Sequence, residues 1–343
     1  MWSMFQNLDL PKSGRFAPTP TGRLHIGNAY SALLSVVSAK AYNCNCILRI
    51  DDLDKRSLPK GCLEEQLQDL KWLGLDFDEG LAEGGPRGPY RQSNRSDLYE
   101  SALVYLNQQG LLYPCYCSRK EIAAVAPHAQ DEGFVYPGTC RPLNGIPLDL
   151  EHIRTKAFNG RYPALRFNTQ AFRFPAYWHA NTPSKDHRVM SYHDLIYGHQ
   201  TAHLDKAVGD FVLQRKDGVY AYQLACAVDD YLFNSAYVVR GADLITSTHR
   251  QRMILAALEL PLNQIPQYAH VGLVVDHSGE RLAKRNQSIQ LKGLRETGVQ
   301  PHTLRASLSR ILGGPDSDDI DQMANAFSWS QVPSHQVKWS LQT

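Results

Sequence analysis

The sequence predicts an α/β protein whose parallel sheet is divided by an insertion. Three observations carry that expectation. Near the start of the chain, strand and helix patterns alternate twice, as they do in parallel sheets with right-handed crossovers. From Pro114 to about Lys185 the apolar pattern breaks, and Pro, Gly and aromatic residues accumulate. The alternation then returns. With 343 residues the chain has room for about two domains of roughly 150 residues each, and for a core of ordinary size.

The first strand candidate is Gly14-Arg15-Phe16-Ala17-Pro18, stopped by Pro18 and Pro20. A turn over Thr21 to Gly27 leads into a helix from Asn28 to Tyr42, with apolar Ala29, Ala32, Leu33, Val36, Val37 and Ala41 at helical spacing. Cys46 to Ile50 reads as a strand, and a second amphipathic helix runs from about Pro59 to Leu73. In the second half, Phe211-Val212-Leu213 is a strand candidate, Ala221 to Asp230 a helix, and Ala236 to Arg240 a strand. Gly241 and a helix from about Thr248 to Leu260 follow. The two halves are expected to form one sheet. Beyond Leu260 the chain reads as helical and polar, with a break at Gly313-Gly314-Pro315. The expected division is therefore 1–113 and 188–260 for the halves of the α/β domain, 114–187 for the insertion and 261–343 for a helical region.

Composition excludes several classes. Hydrophobic residues make up 43% and charged residues 20%, which rules out a disordered chain. There is no internal repeat and no run of the ~20 apolar residues that spans a bilayer. The first nine residues lack a basic and then apolar leader, so a cytoplasmic protein with no membrane contact is expected. A net charge of +2 leaves any nucleic-acid contact to a local patch. Seven cysteines in such a chain point to metal or buried thiols before disulfides.

One segment concentrates chemistry. Arg15 to Asn28 ends a strand, turns through Pro and Gly, and opens a helix. A helix N-terminus offers free backbone N–H groups and partial positive charge, which suit a phosphate. His25 stands where it can donate to a phosphate oxygen, and Gly27 lets a flat ring approach the backbone. Taken alone, the same segment also fits an ordinary strand–helix turn with a surface His.

The segment R-F-A-P-T-P-T-G-R-L-H-I-G-N resembles the HIGH signature of class I aminoacyl-tRNA synthetases, in the glutamyl/glutaminyl subgroup. Arg49-Ile50-Asp51-Asp52-Leu53-Asp54 is similar to that subgroup's R-I-E-D-T-D. Tyr222-Gln223-Leu224-Ala225, Val228-Asp229-Asp230 and Val239-Arg240-Gly241-Ala242-Asp243 resemble its Y-N-x-x-x-x-V-D-D and I-R-G-x-D. Arg281-Leu282-Ala283-Lys284-Arg285 resembles a degenerate K-M-S-K-S. Fifty-eight residues follow Arg285, too few for anticodon-binding domains of on the order of 100 residues each. The resemblance over about residues 12–290 is thus to the short glutamyl-Q tRNA(Asp) synthetases. It implies their Rossmann-like parallel sheet with a zinc-binding insertion, a small C-terminal helical region and no anticodon-binding domain.

Cys115-x-Cys117 followed by Tyr136-x-x-x-Cys140 is similar to that family's zinc site. Three thiolates suit a closed, four-coordinate Zn²⁺, one per chain. Ligand chemistry alone favours His128 as the fourth ligand, whereas the resemblance favours Tyr136. These Cys also fit small buried hydrophobes. Cys44-x-Cys46 leads into an apolar strand and reads as buried thiols, and Cys62 and Cys226 read as helix core.

The resemblance implies that glutamate attacks the α-phosphate of ATP, accompanied by Mg²⁺, to give glutamyl-adenylate. The acyl group then moves to the cyclopentene diol of queuosine in tRNA(Asp). It places Phe16, Ala17, Pro18 and Thr19 around glutamate, Arg15 and Arg240 on its side-chain carboxylate, and Asp51 with Tyr222 at its ammonium. It places His25, Gly27, Asn28 and Lys284 on ATP, with His25 and Lys284 catalytic. A monomer that activates glutamate without tRNA is expected. Three residues depart from the pattern: Asp51 replaces Glu, Asn28 replaces the second His, and the last motif loses its first Lys and its Ser. Competing readings are a truncated glutamyl-tRNA synthetase charging a 3′ end, a non-catalytic tRNA-binding paralogue, and a nucleotidyltransferase sharing the turn.

Overall fold

The computed structural model describes residues 10–125, 135–179, 186–275 and 290–339. The main sheet starts at β1 (Ser13–Phe16); α1 (Ile26–Ala41) crosses over to β2 (Asn45–Leu48), which lies parallel to β1. The apolar positions Ala29, Ala32, Leu33, Val36 and Val37 are all buried, so the helical spacing in the sequence marks the face that packs on the sheet. Gly14 allows the close approach: a Cβ there would stand 3.1 Å from the Cβ of Ala39. α2 (Cys62–Trp72) and α3 (Ser96–Gln108) follow.

β3 (Leu112–Cys115) then opens a separate antiparallel sheet. α4 (Arg119–Val125) and α5 (Leu150–Thr155) precede its partner β4 (Ala164–Phe167). After α6 (Ala176–His179), the hairpin of β5 (Val189–Asp194) and β6 (Gly198–His203) returns to the main sheet. β7 (Val212–Gln214) goes back to the small one, antiparallel to β4. α7 (Tyr222–Leu232), β8 (Ser235–Gly241), α8 (Ile245–Ala257), β9 (Gln267–Val271) and β10 (Val274–Val275) complete the second half. α9 (Leu291–Glu296), α10 (Pro301–Ile311), α11 (Ile320–Asn325) and β11 (Val337–Lys338) follow, with α10 and α11 packed on α1 and β11 paired with β10.

The main sheet runs β2-β1-β8-β9-β5-β6, parallel except for β6. β1 and β8 are neighbours, with Arg15 opposite Val238, so the two halves share one sheet. Two expectations need correction. The strand at Val212-Leu213 belongs to the antiparallel sheet β3-β4-β7 and not to the parallel one. Local pattern announces a strand but not its partner. The region beyond Leu260 is not wholly helical, because β9 is a central strand between β8 and β5. Its five residues are too few for a period to show, and the polar Gln267 and His270 disguise a run that is otherwise apolar.

Two apolar cores flank this frame. One joins α1 and the C-terminal helices to the sheet, and the other joins α3, α7 and α8 to the small sheet. Cys46, Cys62 and Cys226 are buried and Cys44 is half-buried, in keeping with plain thiols. Among the described residues, no helix is long and apolar enough to cross a membrane.

Candidate active site

The C-terminal ends of β1, β2 and β8 open on one cavity of about 740 Å³, where open α/β sheets place their ligands. Arg15, Phe16, Ala17, Pro18 and Thr19 reach it from the end of β1, and His25, Gly27 and Asn28 from the start of α1. Asp51 follows β2, Tyr222 opens α7 and Arg240 lies on β8. Eleven residues singled out in the sequence thus meet in one place. Lys284 and His128 lie outside the described residues. The flanks of the Lys284 segment, Val274 and Gln290, both line the cavity.

The cationic end is built on buried carboxylates. Arg15 Nε donates to Asp230 Oδ1 at 3.0 Å, and its Nη1 donates to the Val239 carbonyl at 2.9 Å. Arg49 Nη1 donates to the same Asp230 oxygen at 2.7 Å, while its Nε and Nη2 fork onto Asp51 at 2.6 and 3.1 Å. Burial alone would raise the Asp230 carboxyl, but Arg15 and Arg49 outweigh it and hold it below the usual range. For Asp51 burial prevails over Arg49 and pushes the carboxyl upward. The shorter Asp51 side chain therefore meets the cavity already gripped by Arg49.

Arg240 is held on all sides. Its Nε donates to His270 Nε2 at 3.1 Å, Nη1 to Gln251 Oε1 at 2.8 Å and to the Tyr222 hydroxyl at 3.5 Å, and Nη2 to Thr248 Oγ1 at 2.7 Å. Burial disfavours its charge, but Tyr222, Tyr268 and Asp230 keep the guanidinium firmly protonated.

At the other end, His25 is the N-cap of α1. Its Nδ1 accepts the Gly27 N–H at 3.1 Å, and its own N–H is capped by Asn28 Oδ1 at 3.0 Å. An accepting Nδ1 leaves the ring proton on Nε2. Burial lowers the His25 pKa, with Asp243 opposing, so the ring is a neutral donor. Asn28 turns its oxygen back to the cap and keeps its amide N–H₂ as donor. A Cβ on Gly27 would stand 3.0 Å from the His25 ring, so glycine is what lets the ring fold over the helix start.

The small sheet holds a second cluster. The sulfurs of Cys115, Cys117 and Cys140 lie within 4.8 Å of one another. The Tyr136 hydroxyl is 3.5 Å from the sulfurs of Cys115 and Cys117, and Cys117 is 3.5 Å from Cys140. The three sulfurs can hold a metal ion, and the Tyr136 hydroxyl, which also accepts the Cys140 backbone N–H at 2.8 Å, lies beside them. A further cavity of about 710 Å³ runs between this cluster and the first one, sharing Thr19, Asp51 and Tyr222. Cys117, Arg119, Arg166, Arg215 and Lys216 line its far side.

Sequence reading missed the residues that hold the ligand-facing ones. Asp230 pins Arg15 and Arg49, and Asp229 accepts from Arg95, Gln92 and Tyr99 at 2.6, 2.8 and 2.9 Å. Both stand in the Val228-Asp229-Asp230 motif, and two adjacent acids on an apolar helix were the signal. Thr248, Gln251 and His270 gave none.

The family described as "tRNA synthetases class I (E and Q), catalytic domain" matches residues 13–332. The chain is 40% identical to a glutamyl-Q tRNA(Asp) synthetase of Symbiobacterium thermophilum, over 96% of both chains. It is 42% identical to one of Nitratidesulfovibrio vulgaris, over 88% of this chain and 86% of that one. It is 36% identical to the glutamate–tRNA ligase of Bacillus subtilis, where the match takes 95% of this chain and 65% of the ligase. The fold is that of a glutamate-tRNA synthetase from Elizabethkingia anophelis, with a TM-score of 0.77 at 24% identity, covering 96% of this chain and 68% of that one. The chain belongs to the class I tRNA synthetases (E and Q), a family of ligases, and is similar to the glutamyl-Q tRNA(Asp) synthetases along almost its whole length.

Proposed function

We propose that the protein activates glutamate with ATP and transfers it to queuosine in the anticodon of tRNA(Asp). The observation that carries this reading is a single cavity lined both by Arg15 and Arg240 and by the neutral His25 donor at the start of α1. The similarity to proteins named glutamyl-Q tRNA(Asp) synthetase supports the acceptor.

In this reading Arg15 and Arg240 bind the glutamate side-chain carboxylate, which glutamine lacks. Asp51 and Tyr222 take the ammonium, and Phe16 to Thr19 form the wall. The glutamate α-carboxylate attacks the α-phosphorus of ATP, which forms the acyl-phosphate bond and releases pyrophosphate. His25 Nε2, the Gly27 and Asn28 end of α1, and Lys284 hold the phosphates and the leaving charge; Mg²⁺ accompanies ATP, bound mostly by phosphates and water. A hydroxyl of the acceptor then attacks the carbonyl carbon, and AMP leaves. The cavity that shares Thr19, Asp51 and Tyr222 with the glutamate site supports this reading by its position; it is lined by Arg119, Arg166, Arg215 and Lys216 together with Asp54 and Asp217. Most of the rate comes from positioning and charge stabilisation.

Cys115, Cys117, Cys140 and Tyr136 fit a Zn²⁺, which supplies a staple for the small sheet. His128 is the alternative fourth ligand.

The test offers ATP, radiolabelled glutamate and tRNA(Asp) with and without queuosine, then locates the label by nuclease digestion. Label on the anticodon fragment of queuosine-containing tRNA alone is expected. Label at the 3′ end would establish the glutamyl-tRNA synthetase reading instead. No label and no pyrophosphate exchange would leave a tRNA-binding paralogue.

A further inference from the structure

Behind Arg240 lies a buried pair that the reaction as described does not use. Asp194 ends β5 and His270 lies on β9; both are fully buried, and Asp194 Oδ2 is 2.6 Å from His270 Nδ1. The other ring nitrogen, Nε2, is 3.1 Å from Arg240 Nε. Arg240 Nε is always a donor, so Nε2 must accept and the ring proton must sit on Nδ1, toward Asp194. We propose that Asp194 and His270 are positioning residues that aim the Arg240 fork at the glutamate side chain by fixing the His270 tautomer. This rests on the assignment of Arg240 to glutamate.

The carboxylate is itself fixed. Asp194 Oδ1 accepts the N–H groups of Ile196 and Tyr197 at 3.0 and 2.9 Å, the backbone N–H of His270 lies 3.3 Å from both carboxylate oxygens, and Oδ2 takes the ring. Burial alone would raise this carboxyl, but the bond to His270 and the backbone donors bring it below the usual range, so it stays an acceptor. Arg240 Nη2 and His270 Nε2 both meet Thr248 Oγ1, at 2.7 and 3.2 Å. A single rotation of the guanidinium would therefore break several bonds together.

This geometry makes an isosteric substitution informative. In Asp194→Asn the two backbone N–H groups still require the oxygen at the Oδ1 place, so the amide N–H₂ faces His270 Nδ1. The imidazole must then accept at Nδ1 and carry its proton on Nε2, where it meets the Arg240 N–H donor to donor. Side-chain volume is almost unchanged, while the carboxylate charge is lost and the ring proton moves to Nε2.

His270→Gln puts an amide oxygen near the Nε2 place, keeping the acceptor for Arg240 while losing the bond to Asp194. His270→Asn puts its amide near the Nδ1 place and loses that acceptor. Steady-state pyrophosphate exchange with glutamate and ATP varied separately reads the effect, beside thermal melting and Arg240→Lys. Asp194→Asn and His270→Asn are expected to lower the melting temperature and, in the folded protein, to raise the glutamate KM about tenfold with the ATP KM within twofold. His270→Gln is expected to recover most of the loss. Equal loss for Gln and Asn, equal shifts in both KM values, or an unchanged glutamate KM in Asp194→Asn would overturn the relay while Arg240→Lys still raises that KM. If Arg240→Lys leaves the glutamate KM intact, the glutamate assignment itself fails.

Discussion

Arg240 has five N–H groups, and protein partners engage four of them. A cation so held cannot swing away from its ligand, and it cannot be replaced by a point charge. Arg240→Lys keeps the charge but loses the fork, and should raise the glutamate KM. Arg240→Ala should lower kcat/KM for glutamate by about 2–4 kcal/mol, roughly 30- to 900-fold, with ATP affinity almost unchanged. Glutamate and ATP titrations of pyrophosphate exchange decide it: loss of ATP affinity equal to loss of glutamate affinity would move Arg240 out of the carboxylate pocket. The sequence placed Arg15 and Arg240 at strand ends but showed nothing of their supports. Those supports sit on α7, α8 and β9, and only folding brings them to the fork.

Single elements show the same division. The start of α1 was legible as strand, turn and helix because Pro, Gly and helical spacing are local signals. What folding adds is the His25 ring over the Gly27 N–H. Gly27→Ala should therefore act on one readout more than on the other. Alanine favours the helix by at most about 0.5–1 kcal/mol, but its Cβ pushes the His25 ring aside and weakens the cap, a loss of similar size. Melting close to the parent with an ATP KM raised at least several-fold is expected. An unchanged ATP KM would remove His25 from the phosphate site. In the small sheet, β3 carries the Cys115 end of a cluster whose other members lie on loops. One zinc per chain is expected by elemental analysis. Cys117→Ser should release it and speed proteolysis of the insertion, while glutamate-dependent exchange persists. A metal-free, fully active parent protein would end the zinc assignment.

Across the whole molecule, the cavity is assembled from segments far apart in sequence, and its described wall rests on buried charge pairs. Asp230 alone joins Arg15 of β1 to Arg49 beyond β2. Among the described residues the charge pairs already close on one another, so glutamate-dependent pyrophosphate exchange is expected with no tRNA present. Exchange that appears only after tRNA is added would show that the site is not preassembled. The sequence by itself determined the α/β class, the two-halved sheet, the motif residues that line the cavity and the cysteine set. The first two are written in local patterns of period and of punctuation by Pro and Gly; the motif residues and the cysteine set were legible through their resemblance to a known family. Only the tertiary structure decided that Val212-Leu213 pairs in the small sheet, that β9 fills the centre of the large one, and that Asp194, His270, Thr248 and Gln251 gather behind Arg240. Strand partners and buried polar contacts depend on which distant segments come within hydrogen-bond reach, about 3 Å, and no local pattern along the chain encodes that distance.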